Sequence, residues 1–308
     1  MSSLSNVIEL SARSKQDKPF LIIHDKNEDI AVIKVTYAQV LEKVKCLKTQ
    51  VSASSVSPGP VIGIWFKDDG GQLTFVKLAV AILTAIDLKT PFIVFDPESQ
   101  ALPWIEESLT ELKIQTLFSC NDHVGCCAQF HKISGILDLY YKPGCEKNGL
   151  PLPYKDVLYI VQTSGTTSAA IGQKGKRKTV LATLGSFLPN LKDFQRHFFS
   201  RPQAVLACSP PTFDPFYLDF FCSCVSGSTL LFVPRQVKIQ RERMSKAVIE
   251  NNTTFLQMTP SLWTNLKERL IPWIFSEKCP LQSVVLGGEP FPRLPAGIFA
   301  SNTRYAHW

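Results

Sequence analysis

Residues 163–167 read Thr-Ser-Gly-Thr-Thr and follow closely on the apolar run VLYIV. Four hydroxyls and a glycine at the end of a strand offer side-chain and backbone donors to phosphate oxygens, and the glycine admits a close approach. The common phosphate loop is a different object, because the glycine it needs before Gly175-Lys176 is absent. Two more strand ends in the second half carry unusual residues: Met258-Thr259-Pro260-Ser261, and Gly287-Gly288-Glu289-Pro290 after SVVL. Ligands of open α/β sheets gather beyond the carboxyl ends of the strands, so the three loops are predicted to converge. Taken singly, each is equally an ordinary turn or a helix cap.

The elements that must position these loops alternate between strand and helix. Residues 4–16 have helical spacing, and KPFLIIHD is a strand by its β-branched run. Thr36 then caps an amphipathic helix whose apolar positions are Val40, Val44 and Leu47. VIGIWF, PFIVFDP and IQTLFSC follow as strands, separated by the helices QLTFVKLAVAILTAI and PWIEESLTELK. A weaker zone from Asn121 to Lys155 is the expected boundary, dividing the chain into subdomains at 1–150 and 151–308. Beyond it come VLYIVQ, AVLACSP, the aromatic helix PFYLDFFCSCVSG, STLLFVP, RERMSKAVIENN, TTFLQM, SLWTNLKERL and SVVL. This alternation predicts an α/β fold with mainly parallel sheets.

Bulk composition narrows the function classes. The chain has 308 residues, is 45% hydrophobic and 19% charged, and carries a net charge of +7. That is a folded protein with a mild bias toward anionic ligands. Dense basic charge is confined to GQKGKRK, without interleaved aromatics or a recognisable module, so nucleic-acid binding is not expected. Nine scattered cysteines and five histidines give no metal-ligand spacing, and the thiols suit a reducing cytoplasm. No signal peptide is apparent, and the longest apolar run, FVKLAVAILTAIDL, is read as too short and amphipathic to span a membrane.

Together, TSGTT after VLYIV, TFDPFYLDFFCSCVSGSTLLFVP, FLQMTPSLW and VVLGGEPFP resemble the adenylate-forming (AMP-dependent synthetase/ligase) superfamily. VTYAQVLEKVKCL and TPFIVFDPESQALPWIEESL agree more loosely with its first half, and the likeness runs over roughly residues 5–292. It implies the family's large N-terminal lobe, built of two αβ subdomains. It also implies activation of a carboxylic acid by ATP with Mg2+ to an acyl-adenylate, followed by transfer to a thiol such as phosphopantetheine. The wording TFDP, GSTLLFVP and LGGEPFP points to a small amino acid such as beta-alanine. Carried over by motif, Thr163, Ser164, Gly165, Thr166 and Thr167 would hold the ATP phosphates together with Lys178. Gly287, Gly288 and Glu289 would line the acyl and adenine side of the pocket. Asp214 stands where amino-acid-activating members place an aspartate against the substrate ammonium. It could equally be an acid favouring a helix N-terminus.

The chain departs from this pattern in three places. The family loop reads T-S-G-T-T-G-x-P-K, whereas here Ser168–Lys174 intervene before Gly175-Lys176-Arg177-Lys178. Such an insertion costs preorganisation of the phosphate donors more than it costs the fold. Phe216 replaces a small residue and is expected to crowd the acyl pocket. After GGEPFP the sequence runs RLPAGIFASNTRYAHW, without the family's later adenine, ribose and lysine motifs. The expectation is a truncated ligase domain with impaired activity. The alternative is a non-catalytic interaction protein derived from that domain.

Overall fold

The computed structural model of the protein describes residues 2–27, 31–54, 56–121, 130–142, 156–163, 178–199, 201, 203–290 and 304–307. In chain order the first half comprises α1 (Ser2–Ser14), β1 (Pro19–His24), β2 (Ala31–Thr36), α2 (Tyr37–Ala53), β3 (Ile62–Trp65), α3 (Gln72–Asp87), β4 (Phe92–Phe95), α4 (Leu102–Glu111), β5 (Thr116–Ser119), β6 (His131–Ile133) and β7 (Asp138–Tyr141). The second comprises β8 (Val157–Thr163), β9 (Lys178–Thr183), α5 (Leu184–Phe198), β10 (Ala204–Leu206), α6 (Asp214–Ser226), β11 (Thr229–Phe232), α7 (Arg235–Lys238), α8 (Arg241–Glu250), β12 (Phe255–Met258), α9 (Pro260–Ile274), β13 (Ser283–Leu286) and β14 (Arg304–His307).

These strands build two seven-stranded sheets, one ordered β6-β7-β5-β3-β4-β8-β9 and the other β14-β13-β12-β10-β11-β1-β2. Among the described residues eight strand pairings are parallel and four antiparallel, which is the mainly parallel α/β fold expected from the alternation. Sheet membership does not follow chain order. β1 pairs in parallel with β11, Leu21 opposite Leu230, while β8 joins β4, Ile93 opposite Ile160.

The helix α3 lies at the centre. Twelve of its residues are buried, from Thr74 to Ile86, so the run read as amphipathic has almost no solvent face. It packs in one core with Leu21, Ile23 and Phe232 of one sheet and Ile62, Phe92 and Leu158 of the other. A helix apolar on every side is stable only when covered all round, and two sheets do that here. Its buried Thr84 hydroxyl donates to the Val80 carbonyl at 2.7 Å, so no polar group is stranded. Truncating Leu78 or Ile82, both 0% exposed, would leave a cavity and cost about 2–5 kcal/mol.

Local signals account for the flanking pieces. Thr36 forms a capping box with Gln39: its hydroxyl accepts the Gln39 amide at 3.2 Å, and the Gln39 side chain accepts the Thr36 amide at 2.9 Å. Val40, Val44, Leu47 and Val51 then form the buried stripe of α2. Two further cores cover the outer faces, one with α8 and α9 around Trp263 and Leu266, the other with α4 around Ile105 and Phe95. Among the described residues, no helix is long and apolar enough to cross a membrane.

Candidate functional site

The second sheet places β10, β12 and β13 side by side and parallel, so the loops leaving them lie at one end. The first sheet contributes the end of β8. Thr163, its last residue, is the Cα partner of Lys178, the first residue of β9, across an antiparallel pair. The two ends of the TSGTT-to-GKRK segment are therefore held together by a strand ladder, and Lys178 is exposed there. Ser164, Gly165, Thr166 and Thr167, with the inserted Ser168–Lys174, lie outside the described residues.

Thr259 and Ser261 meet the Gly287–Glu289 loop directly. The Gly287 amide donates to the Met258 carbonyl at 3.2 Å, continuing the β12–β13 ladder into the loops. Gly288 then turns with φ of 85°, a left-handed conformation that suits glycine. The turn aims Glu289 at the first turn of α9, where its carboxylate accepts the Ser261 amide at 2.9 Å and the Ser261 hydroxyl at 2.5 Å. Thr259 caps the same helix, accepting the Leu262 amide at 3.3 Å. MTPS is thus a working helix cap, and an anion from the chain itself sits at that N-terminus.

Asp214 is the first residue of α6 and reaches the other group of elements. The turn before it closes with the Phe213 amide on the Pro210 carbonyl at 3.0 Å. Its carboxyl and the Tyr159 hydroxyl on β8 lie near enough to perturb each other's charge. Burial pushes the Asp214 carboxyl above the ordinary carboxylate range, and the hydroxyl pulls partly the other way. Tyr159 is itself pushed above the usual phenol range, by burial first and then by the charge of Asp214. The Tyr159 and Tyr217 rings stack with centroids 4.1 Å apart at 30°, and Tyr217 donates to the Pro211 carbonyl at 2.6 Å. Phe216 is fully buried, edge-on to Tyr217 and packed against Phe220 and Phe232.

Beneath the loop after β10 lies a second polar group. The Lys238 ammonium donates to the Ala207 and Cys208 carbonyls at 2.7 and 3.1 Å. Asp219 is 0% exposed, and neither carboxyl oxygen has a hydrogen-bond partner. Burial raises it well above the ordinary carboxylate range, against the weaker opposite pull of Lys238. Among the described residues, no group of three or more His, Cys, Asp or Glu side chains could hold a metal ion.

Among the described residues, the arrangement presents the exposed Asp214 carboxylate to a cation and the exposed Lys178 to an anion, while the donors at the start of α9 are taken by Glu289. Tyr159 was the residue hardest to foresee, since a tyrosine inside VLYIV reads as core. Its only signal is a hydroxyl on the strand that feeds TSGTT.

Comparison with known proteins follows this geometry. The family model described as AMP-binding enzyme matches residues 8–296. The "Beta-alanine-activating enzyme" of Drosophila melanogaster is 31% identical over 304 residues, covering 91% of this chain and 28% of that protein. The crystal structure of CmiS6 superposes with a TM-score of 0.74 at 18% identity, covering 94% of this chain and 66% of that one. The nonribosomal peptide synthetase FmoA3, in a form bound to alpha-methyl-L-serine-AMP, gives a TM-score of 0.68 at 15% identity, covering 94% and 30%. The chain therefore spans just over a quarter of the length of the fly relative.

Proposed function

The chain belongs to the AMP-binding enzyme family, that of the adenylate-forming enzymes, and from that premise we propose that its site takes ATP and a small amino acid such as beta-alanine for acyl-adenylate formation. The observation that carries this reading is Asp214, an exposed carboxylate at the first residue of α6, near Tyr159 of the strand that leads into TSGTT. A carboxylate there favours an acid bearing an ammonium over a plain alkyl acid, by a charge-assisted hydrogen bond.

In this reading Thr163, Ser164, Gly165, Thr166, Thr167 and Lys178 hold the nucleotide phosphates. The exposed cation of Lys178, fixed opposite Thr163 by the β8–β9 ladder, suits that task. Gly287 and Gly288 line the acyl and adenine side, while Glu289 shapes it through Ser261. Mg2+ would arrive on the nucleotide's own phosphates and neutralise charge there. The acceptor is a thiol such as phosphopantetheine. The inserted Ser168–Lys174 loosens the phosphate grip, so turnover is slow. The setting is cytoplasmic.

The test is thermal stabilisation of the full chain by ATP and beta-alanine, with acid-dependent exchange of labelled pyrophosphate into ATP as the second readout. Stabilisation by both ligands, with weak exchange, is expected. Stabilisation by neither would overturn the reading and favour a non-catalytic interaction protein.

A further inference from the structure

The structure assigns Lys238 as a positioning residue, whose ammonium fixes the Ala207–Phe213 loop and through it the place of Asp214. This inference rests on the reading of Asp214 above. β10 ends at Leu206, and the Ala207 amide still donates to the Leu231 carbonyl at 3.0 Å, one step past the strand. β11 itself ends at Phe232, and two residues on, Pro234 has no amide to give. The Ala207 and Cys208 carbonyls therefore lie beyond the reach of the ladder, on residues 0% and 8% exposed. Buried carbonyls need donors, and the ammonium of half-buried Lys238 reaches both, at 2.7 and 3.1 Å.

Both sides of this clamp are tied down. α7 begins at Arg235, whose amide donates to the Asp68 carboxylate at 2.8 Å, and the Gln236 side chain donates to the Asp68 carbonyl at 3.5 Å. Asp68 follows β3 of the other sheet, so the short helix that carries Lys238 is seated on both sheets. On the loop side, Pro210 and Pro211 have no amides with which to hold themselves. The Phe213 amide closes a turn on the Pro210 carbonyl at 3.0 Å, and the Tyr217 hydroxyl donates to the Pro211 carbonyl at 2.6 Å. Lys238 thus secures the start of the loop and Tyr217 its end, and Asp214 is the next residue out. Bonds from an ammonium are charge-assisted, so two of them set firmly where the loop leaves the sheet. A carboxylate that is to meet a ligand's ammonium must be held to about 0.5 Å, and an unanchored loop would not do that.

The experiment compares the full chain with Lys238→Met, which keeps the apolar stem and removes the donors, and with Lys238→Arg, which keeps charge and donors. Affinities for beta-alanine and propionate and the ATP-induced rise in Tm are measured near pH 7. Hydrogen exchange of the Ala207, Cys208 and Phe213 amides is followed by NMR. In Lys238→Met these amides should exchange faster, and affinity for beta-alanine should fall about tenfold with propionate and ATP unchanged. Lys238→Arg should restore both, since its fork also has donors for two carbonyls. Unmoved exchange at the three amides, an equal loss for both acids, or exchange raised equally in β12 and β13 would overturn the positioning role. If the parent itself does not distinguish beta-alanine from propionate, the amino-acid reading fails. Exchange at the three amides still decides whether Lys238 holds the loop.

Discussion

Glu289 and Ser261, 28 positions apart, are joined by two hydrogen bonds that tie the loop after β13 to the first turn of α9. The link crosses two adjacent parallel strands and fixes the relative position of the glycine turn and the MTPS cap. Glu289→Gln and Ser261→Ala should each destabilise the protein by about 0.5–1.5 kcal/mol. A double-mutant cycle from denaturant unfolding should show that the two losses do not add. Full additivity would mean that the contact contributes nothing to stability.

A second prediction concerns Tyr37, the first residue of α2. Its hydroxyl lies 2.8 Å from the Ser223 carbonyl and 2.7 Å from that of Ser228, and one proton serves both. These carbonyls flank Gly227, which ends α6 with φ of 68°. Tyr37→Phe keeps the ring against Phe20 but removes the phenol donor from both carbonyls, although that of Ser223 still accepts the Gly227 and Ser228 amides. The expected cost is about 1–3 kcal/mol, measured as a lower denaturation midpoint with an unchanged slope. A loss below about 0.5 kcal/mol would show that water replaces the hydroxyl.

Asp219 should make stability fall as pH rises. Its folded carboxyl is held above the ordinary range, so between the unfolded and folded values the native state binds the extra proton. The unfolded state then binds fewer protons, and the slope of unfolding free energy with pH is negative. The contribution is complete below the ordinary carboxylate range and is lost as pH climbs through the raised value. Asp68, Asp96 and Asp214 are raised too and act with the same sign. Lys238 is lowered, so its contribution grows with pH only between its lowered value and the ordinary lysine range. Cys208, pushed up to about 12 by burial, stays neutral near pH 7. Asp219→Asn should flatten the decline, read as unfolding midpoints from pH 5 to 8. An unchanged profile would place the proton elsewhere.

Removing Ser168–Lys174 should tighten nucleotide binding. The deletion brings Gly175 and Lys178 to the family spacing from TSGTT while leaving the Thr163–Lys178 pair in place. Phosphate donors gain from preorganisation in a tight turn, and shortening the loop changes closure entropy by only about 1 kcal/mol. An ATP-induced rise in Tm larger than that of the parent is the expected result. An equal or smaller rise would show that the insertion is not what weakens the grip.

How much of this was legible in the residues depends on the range of the interaction. The Thr36–Gln39 box and the Val40, Val44, Leu47 stripe are local, and they appear where their spacing puts them. The meeting of MTPS with GGEP follows from parallel strands ending together. β9 and α5 escaped notice because KTVLAT is an exposed edge strand and the helix after it contains Pro189. α3 was misread because lysine and threonine within an apolar run mimic a polar face, although Thr84 is satisfied internally. Tyr159 could not be separated from core tyrosines without its neighbours, since what sets it apart is the nearby charge of Asp214, 55 residues away. Pairing of β1 with β11 leaves no trace in local periodicity.

That last pairing bears on how the molecule comes into being. Leu21 must wait for Leu230, 209 residues later, before β1 has the parallel neighbour that completes its sheet. Until then β1 and β2 form a two-stranded ribbon, a unit of marginal stability in water. Closing so distant a contact is entropically slow, and it raises the contact order of the whole fold. On a ribosome, the first strands made are therefore among the last to be secured, and a chaperone that shields residues 19–36 would act at the most exposed stage of synthesis.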